Sequence, residues 1–342
     1  MRAVEFYAYG PASEVLRVAN DAVPPVPGAS EVLLRVLAAS VNPVDCAIRN
    51  GYGKEVFRLK GQVGPELFPQ RLGRDAAGIV QAVGAAVKGF QAGERVYCAP
   101  TKACQADFIA VDESEVAPMP AGLSFLEAAS LPFVALTAWS ALAGQAGLDE
   151  VAARQKRILI TRGAGGVGSF AIQLMKVWGA FVATTCRSRH VDYLRQLRPD
   201  LIIDYTRTPI AEAVSQIDVA LDSSFDAQEA VLSTLKTHAG ASYITIVSPK
   251  MRFIDEFGLE EGLRRADALL AEQERSQSLL GRHYHWGFMK PDGAALAKVT
   301  PWVESHQIRP LIDKVFPMEQ IALAHEYCES GKAQGKIVID MS

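Results

Sequence analysis

The sequence predicts an α/β protein in two parts, a compact β domain and a doubly wound parallel sheet covered by helices. Three observations predict it. A glycine loop stands between a short β-branched run and an amphipathic helix, strand–helix alternation follows that loop, and the stretch before residue 125 carries short strands and turns.

Size and composition agree. At 342 residues the chain is too long for a single core, so two domains are expected. With 49% hydrophobic and 21% charged residues it is ordinary for a soluble globular enzyme. A net charge of −3 gives no support for nucleic acid or an anionic membrane as the main partner. No run is read as approaching the roughly 20 apolar residues of a spanning helix. Met1-Arg2-Ala3-Val4-Glu5-Phe6 enters strand-like sequence directly, without signal-peptide character. The five cysteines (Cys46, Cys98, Cys104, Cys186, Cys328) are scattered and lack C-x-x-C spacing. That argues for reduced thiols in a cytoplasmic setting, against a disulfide framework or structural zinc.

Residues 32–37, 78–83 and 95–97 are short β-prone runs punctuated by Gly and Pro, the pattern of a partly closed β domain. At Ser124 the character turns helical, with Glu127 three residues on completing a capping box. The first domain is therefore drawn over 1–125 and the second over 126–307, with 308–342 returning to the first.

Arg157-Ile158-Leu159-Ile160-Thr161 is right for a buried parallel strand. Gly163-Ala164-Gly165-Gly166-Val167-Gly168 then satisfies G-x-G-x-x-G. Val167, Phe170, Ala171, Leu174, Met175 and Trp178 recur at helical spacing behind it, and the helix ends at Gly179. In this reading Gly163 permits the tight turn, Gly165 admits a pyrophosphate to the backbone, and Gly168 lets helix and strand pack closely. The helix N-terminus offers free N–H groups to the phosphates. Strand before and helix after are the context that a dinucleotide cradle demands.

Further strands are expected at 181–186, 201–204, 219–222 and 243–247, with a sixth at the edge over His283-Tyr284-His285-Trp286-Gly287-Phe288. That edge is the candidate for pairing across a two-fold axis in a homodimer. Residues 294–306 read as a helix, and 312–316 and 337–339 as strands returning to the first domain.

The second strand ends Thr185-Cys186-Arg187-Ser188-Arg189-His190, with no acid before Asp192. A carboxylate there selects NAD by binding the ribose 2′-hydroxyl, whereas an arginine accommodates the 2′-phosphate of NADP. Arg187 or Arg189 can hold that phosphate by charge-assisted hydrogen bonds, so NADPH is the expected cofactor.

With these parts in place, the chain resembles the medium-chain dehydrogenase/reductase superfamily, in its zinc-independent quinone oxidoreductase branch. The resemblance rests on Val41-Asn42-Pro43-Val44-Asp45 with Arg49-Asn50-Gly51, and on Gly73-Arg74-Asp75-Ala76-Ala77-Gly78. Gly93-Glu94-Arg95-Val96, Leu136-Thr137-Ala138-Trp139, the glycine loop, Asp204-Tyr205 and Gly335-Lys336-Ile337-Val338-Ile339 extend it over essentially the whole chain. Trp286-Gly287-Phe288-Met289 resembles the reticulon-4-interacting relatives. The resemblance implies a GroES-like β domain, a Rossmann domain and NADPH in the cleft. Zinc alcohol dehydrogenases place a Cys where Asn42 stands, a His where Arg74 stands and a Cys near Phe133; this chain replaces each, so no metal is expected.

Without a metal to polarise a carbonyl, the natural task is hydride delivery to an electron-poor acceptor, a quinone or an α,β-unsaturated carbonyl. By resemblance, Asn42 is a candidate for bonding the nicotinamide-side ribose or the substrate oxygen. Asp45 is expected to order its loop by pairing with Arg49 or Arg74. Tyr52 is the candidate donor to a developing enolate or quinol oxygen. Thr137 meets the carboxamide, Arg187, Ser188 and Tyr205 flank the 2′-phosphate, and Val247 and Ser248 pass beside the nicotinamide. Lys336 lies near the cofactor. The substrate pocket is expected from loops around 50–69 and 248–282. Two other readings stand beside this one: an enoyl-thioester reductase, which needs a basic channel, and a non-catalytic NADPH- or RNA-binding crystallin-like protein.

Overall fold

A computed structural model of the chain describes residues 1–59, 68–224 and 226–342. It divides into two compact units, one of residues 1–136 with 291–342, the other of residues 137–290. The division falls inside helix Pro132–Trp139, later than the joint drawn at residue 125. That joint is where helical character begins: Ser124 caps helix Phe125–Ala129 by accepting from the Glu127 amide, and Glu127 returns the bond.

In the first unit β1 (Ala3–Phe6) pairs with β2 (Leu16–Ala19) on one side and β4 (Gln70–Arg71) on the other. The long β3 (Glu31–Val41) pairs antiparallel with β5 (Ala76–Val83), which continues to β6 (Arg95–Cys98) and β8 (Val116–Pro118). β7 (Phe108–Asp112) lies along the first half of β3. Gly78 is required where β5 crosses β3, since a Cβ there would lie 2.0 Å from the Arg35 carbonyl oxygen. Alternating apolar residues such as Val32, Leu34 and Val36 turn inward to a core shared with Phe6 and Val96.

The second unit is a six-stranded parallel sheet in the order β11-β10-β9-β12-β13-β14. β9 (Arg157–Ile160), β10 (Phe181–Cys186), β11 (Leu201–Asp204) and β12 (Val219–Asp222) lie where the sequence puts them. β13 is Ala241–Thr245, two residues earlier than expected, because the apolar run Ile246-Val247 continues past the last ladder bond into a turn. β14 (Arg282–Trp286) is the edge strand. The segment expected to be loops over 248–282 is instead two helices, Lys250–Phe257 and Leu259–Ser278. Gly262 joins them closely, as a Cβ there would lie 2.5 Å from the Ile254 Cα. The rest of the expected pocket, 50–69, falls partly outside the described residues.

The chain then returns. Helix Gly293–Glu304 leads to β15 (Ile312–Pro317), helix Ile321–Glu329 and β16 (Lys336–Asp340). β16 lies between β15 and the second half of β3, completing the order β15-β16-β3-β5-β6-β8.

One expectation about membranes needs correction. The run Phe125–Gln145 is long and apolar enough to cross a bilayer, yet 67% of its most apolar window is buried inside the protein, as in a core helix.

Candidate active site

In the parallel-sheet unit, β9 ends at Ile160 and Thr161 anchors the turn. Its Oγ1 donates to Asp222 Oδ1 at 2.6 Å and accepts from the Ser223 amide at 2.8 Å. The left-handed residue of the glycine loop is Arg162, at φ 51°, which precedes the glycine expected to permit the tight turn. Gly163 is required for a different reason: a Cβ there would lie 2.0 Å from Thr184 Oγ1. Gly168 serves helix–strand packing as expected, since its Cβ would meet the Arg162 carbonyl oxygen at 2.5 Å and the Gly163 Cα at 2.8 Å. Gly165 is the N-cap of helix Gly166–Val177, so Ala164, Gly166 and Val167 sit at the end where helix N–H groups are free. No side chain bulkier than Ala164 intervenes before Val167. The loop is a cradle that fits a pyrophosphate.

At the carboxyl ends of neighbouring strands, Arg187 Nε donates to the Tyr205 hydroxyl at 3.0 Å. Ser188 Oγ donates to Asp204 Oδ2 at 2.5 Å and lies 3.0 Å from Thr206 Oγ1. Asp204 thus has its carboxylate occupied by Ser188, Thr206 and Arg207. Arg187 is exposed, and among the described residues its guanidinium makes that one hydrogen bond. After β13, the Val247 amide donates to Thr245 Oγ1 at 3.2 Å. Ser248 Oγ is buried without a hydrogen-bond partner among the described residues. Thr137 is buried on helix Pro132–Trp139. Together the loop, Arg187–Tyr205 and Ser248 fit a pyridine dinucleotide.

The first unit brings four polar residues together in its interior. Lys336 Nζ, at the start of β16, donates to Ser40 Oγ at 2.9 Å, to Asp75 Oδ2 at 3.1 Å and to Asn42 Oδ1. Asn42 Nδ2 donates to Asp75 Oδ2 at 2.9 Å and Ser40 Oγ at 3.3 Å. The other Asp75 oxygen accepts from the Phe133 amide at 2.6 Å. All four side chains are buried, and the charges of Lys336 and Asp75 compensate one another. Asn42 is therefore committed inside the protein, at the N-cap of helix Pro43–Arg49. Ser40 and Asp75 were not among the expected site residues. Asp75 lay within a quoted motif without a role, and Ser40 is one small polar residue in an apolar strand.

Asp45 has an ordering role. Its carboxylate accepts from the Asn42 amide at 2.8 Å and the Gly73 amide at 3.2 Å, and burial pushes its pKa up. The pairing suggested with Arg49 or Arg74 does not form. Arg49 is taken by Glu329, and Arg74 donates to the Thr101 carbonyl at 3.0 Å. Tyr52 sits half-buried on the loop after helix Pro43–Arg49, its amide donating to the Ala47 carbonyl at 2.9 Å. His283, His285 and Tyr284 are strand residues: Tyr284 stacks on Tyr243 with ring centroids 5.0 Å apart, and burial lowers the His285 pKa.

Residues 28–132 match the alcohol dehydrogenase GroES-like domain family, and residues 197–339 match the zinc-binding dehydrogenase family. NAD(P)H oxidoreductase RTN4IP1, mitochondrial, of Danio rerio is 36% identical over 343 residues, 96% of this chain and 88% of the relative. This chain belongs to the medium-chain dehydrogenase/reductases, in the zinc-independent quinone oxidoreductase branch. 2-Methylene-furan-3-one reductase of Solanum lycopersicum is 32% identical over 354 residues, 99% of this chain and 79% of the relative. The solved quinone oxidoreductase from Coxiella burnetii superposes with a TM-score of 0.81 at 27% identity, covering 100% of this chain and 99% of that one.

As a medium-chain dehydrogenase/reductase the protein is an NAD(P)H oxidoreductase with a GroES-like domain and a Rossmann domain. The expectation of a cytoplasmic location is overturned, because the RTN4IP1 relatives from several species are named as mitochondrial. Five scattered cysteines without C-x-x-C spacing do not tell one compartment from another.

Proposed function

We propose that this medium-chain dehydrogenase/reductase uses NADPH to reduce a quinone or an α,β-unsaturated carbonyl. The observation that carries the cofactor choice is Arg187, exposed beside Tyr205 while the nearby Asp204 carboxylate is turned to other partners. A 2′-phosphate there meets a cation and two hydroxyls. When bound, NADPH supplies a hydride to the acceptor.

The chain's own residues bind, orient and donate. Backbone amides at the start of helix Gly166–Val177 hold the pyrophosphate, and the Ser248 hydroxyl, without a hydrogen-bond partner among the described residues, offers a donor near the far end of the cofactor. The Ser40–Asn42–Asp75–Lys336 cluster pins the N-terminus of helix Pro43–Arg49, whose other end carries the Tyr52 loop. Lys336 and Asn42 are thereby positioning residues, and Tyr52 is the donor to the oxygen on which negative charge develops. A conjugated acceptor suits this chemistry because its carbonyl needs only a hydrogen bond, not a Lewis acid. The names of the tomato relative and the Coxiella structure support an enone or quinone as substrate class.

The test is NADPH consumption by the purified chain with phenanthrenequinone and with a cyclic enone, with and without a chelator, in wild type and Tyr52→Phe. Turnover indifferent to the chelator and reduced roughly 100-fold or more by Tyr52→Phe is expected. No turnover with either acceptor, alongside tight NADPH binding, removes the proposal. We also propose that two copies pair through the β14 edge, which light scattering checks; a monomer removes that part.

A further inference from the structure

The parallel sheet reverses its direction of growth at β9. From that strand the chain runs outward to β10 and β11 on one side and to β12, β13 and β14 on the other. A ligand crevice opens at such a reversal, beyond the carboxyl ends of the two diverging strands, here β9 and β12. Arg162 lies just past the end of β9, and Ser223 directly follows β12. Arg162 is exposed, and among the described residues its guanidinium makes one hydrogen bond, Nη1 donating to the Ser223 carbonyl at 3.4 Å. The side chain therefore reaches from one strand end towards the other, along the floor of that crevice. Asp222, next to Ser223, does not neutralise it. That carboxylate is fully buried and accepts from Thr161, Ser224 and Tyr243.

The backbone beneath the guanidinium is strained. Arg162 has φ 51°, a torsion that is unfavourable for a residue with a Cβ and free of penalty for glycine. Its amide donates to Thr185 Oγ1 at 3.2 Å and its carbonyl accepts from the Gly165 amide at 2.9 Å, so the torsion is enforced from both sides. Glycine would fit this position best, yet the chain carries a long cationic side chain there. Strain of that kind persists where the side chain serves a site.

We propose that Arg162 is a cofactor-binding residue whose guanidinium pairs with the pyrophosphate common to NADPH and NADH. Ala164, Gly166 and Val167 offer backbone N–H groups to the pyrophosphate from the helix side, and Arg162, adjoining the loop, meets it from the strand side. A guanidinium gives a phosphate two parallel N–H bonds with full charge behind them, and the long bond to Ser223 is the one it exchanges for them. The two arginines then divide the cofactor between them. Arg187 reads the 2′-phosphate that only NADPH carries, and Arg162 holds the pyrophosphate that both carry. The inference rests on the reading of the glycine loop as the cofactor cradle and is independent of the acceptor.

The test is calorimetric titration of NADPH, NADH and adenosine 5′-diphosphate into the full chain, as wild type, Arg162→Gly and Arg162→Gln. Both variants should bind all three ligands roughly 10- to 100-fold more weakly, the worth of charge-assisted hydrogen bonds to a phosphate. Thermal unfolding without cofactor should find Arg162→Gly no less stable than the wild type, so its weaker binding is not a failure to fold. A loss confined to NADPH would assign Arg162 to the 2′-phosphate and overturn the proposal. Affinity lost in Arg162→Gly but kept in Arg162→Gln would overturn it too, by making the backbone the cause. Affinity kept in both variants, with the wild type binding well, removes this inference and leaves the cofactor reading standing. No binding of either cofactor by the wild type removes both.

Discussion

Lys336 Nζ lies 3.1 Å from the Asp75 carboxylate, in a place where the two side chains are 5% and 0% exposed. Ionised groups that far from water survive only in pairs. Lys336→Met should cost about 3–5 kcal/mol by urea unfolding, because Asp75 is left charged and uncompensated. The double variant Lys336→Met, Asp75→Asn should recover a substantial part of that loss. Equal stability for single and double variants would mean that the pair is not coupled.

Arg187→Ala should weaken NADPH roughly 10- to 100-fold, the worth of one charge-assisted bond, and change NADH by less than about twofold. Titration of both cofactors by calorimetry separates the outcomes. Equal losses would show that Arg187 does not read the phosphate.

The glycine loop gives opposite signs at neighbouring positions. Gly168→Ala should destabilise by about 1–3 kcal/mol, since its Cβ would meet backbone atoms that cannot swing aside. Arg162→Gly should stabilise by about 0.5–1 kcal/mol by relieving the left-handed strain at φ 51°. Thermal unfolding of both variants decides whether strain and packing are divided as described.

His325 links stability to acid. Burial, with Arg49 nearby, lowers its pKa from 6.5 to about 3, so the folded chain holds the imidazole neutral. Between those values the unfolded chain binds the extra proton, and stability falls as pH drops from about 6.5 towards 3. His325→Gln should flatten that part of the stability curve. An unchanged slope would assign it to other groups.

The Rossmann unit was legible because its strands are buried on both faces and read as continuous β-branched runs bounded by turns. The match fails at β13 for the same reason, as Ile246 and Val247 look like strand but lie past its end. Helices Lys250–Phe257 and Leu259–Ser278 were illegible because they are dense in charge, with only Ile254, Gly262, Ala266 and Gln277 buried, too few to mark a stripe. The buried cluster is harder still. Ser40 and Asp75 are 35 positions apart, and Asp75 and Lys336 are 261 apart, so only the strand order reveals that they touch. Arg162 escaped because G-x-G-x-x-G directs attention to the first glycine, while the unusual torsion belongs to the residue before it.

The seat of β16 beside β3 shapes how the chain is born. The ribosome releases β3 early, yet the partner for its second half, residues 336–340, emerges only after the whole of 137–290 has been translated. The Rossmann unit, contiguous over 137–290, is finished before that happens. During synthesis the first unit waits with Ala38, Ala39, Ser40 and Val41 unzipped on one side, and the last strand to arrive both closes the sheet and delivers the ammonium that neutralises Asp75.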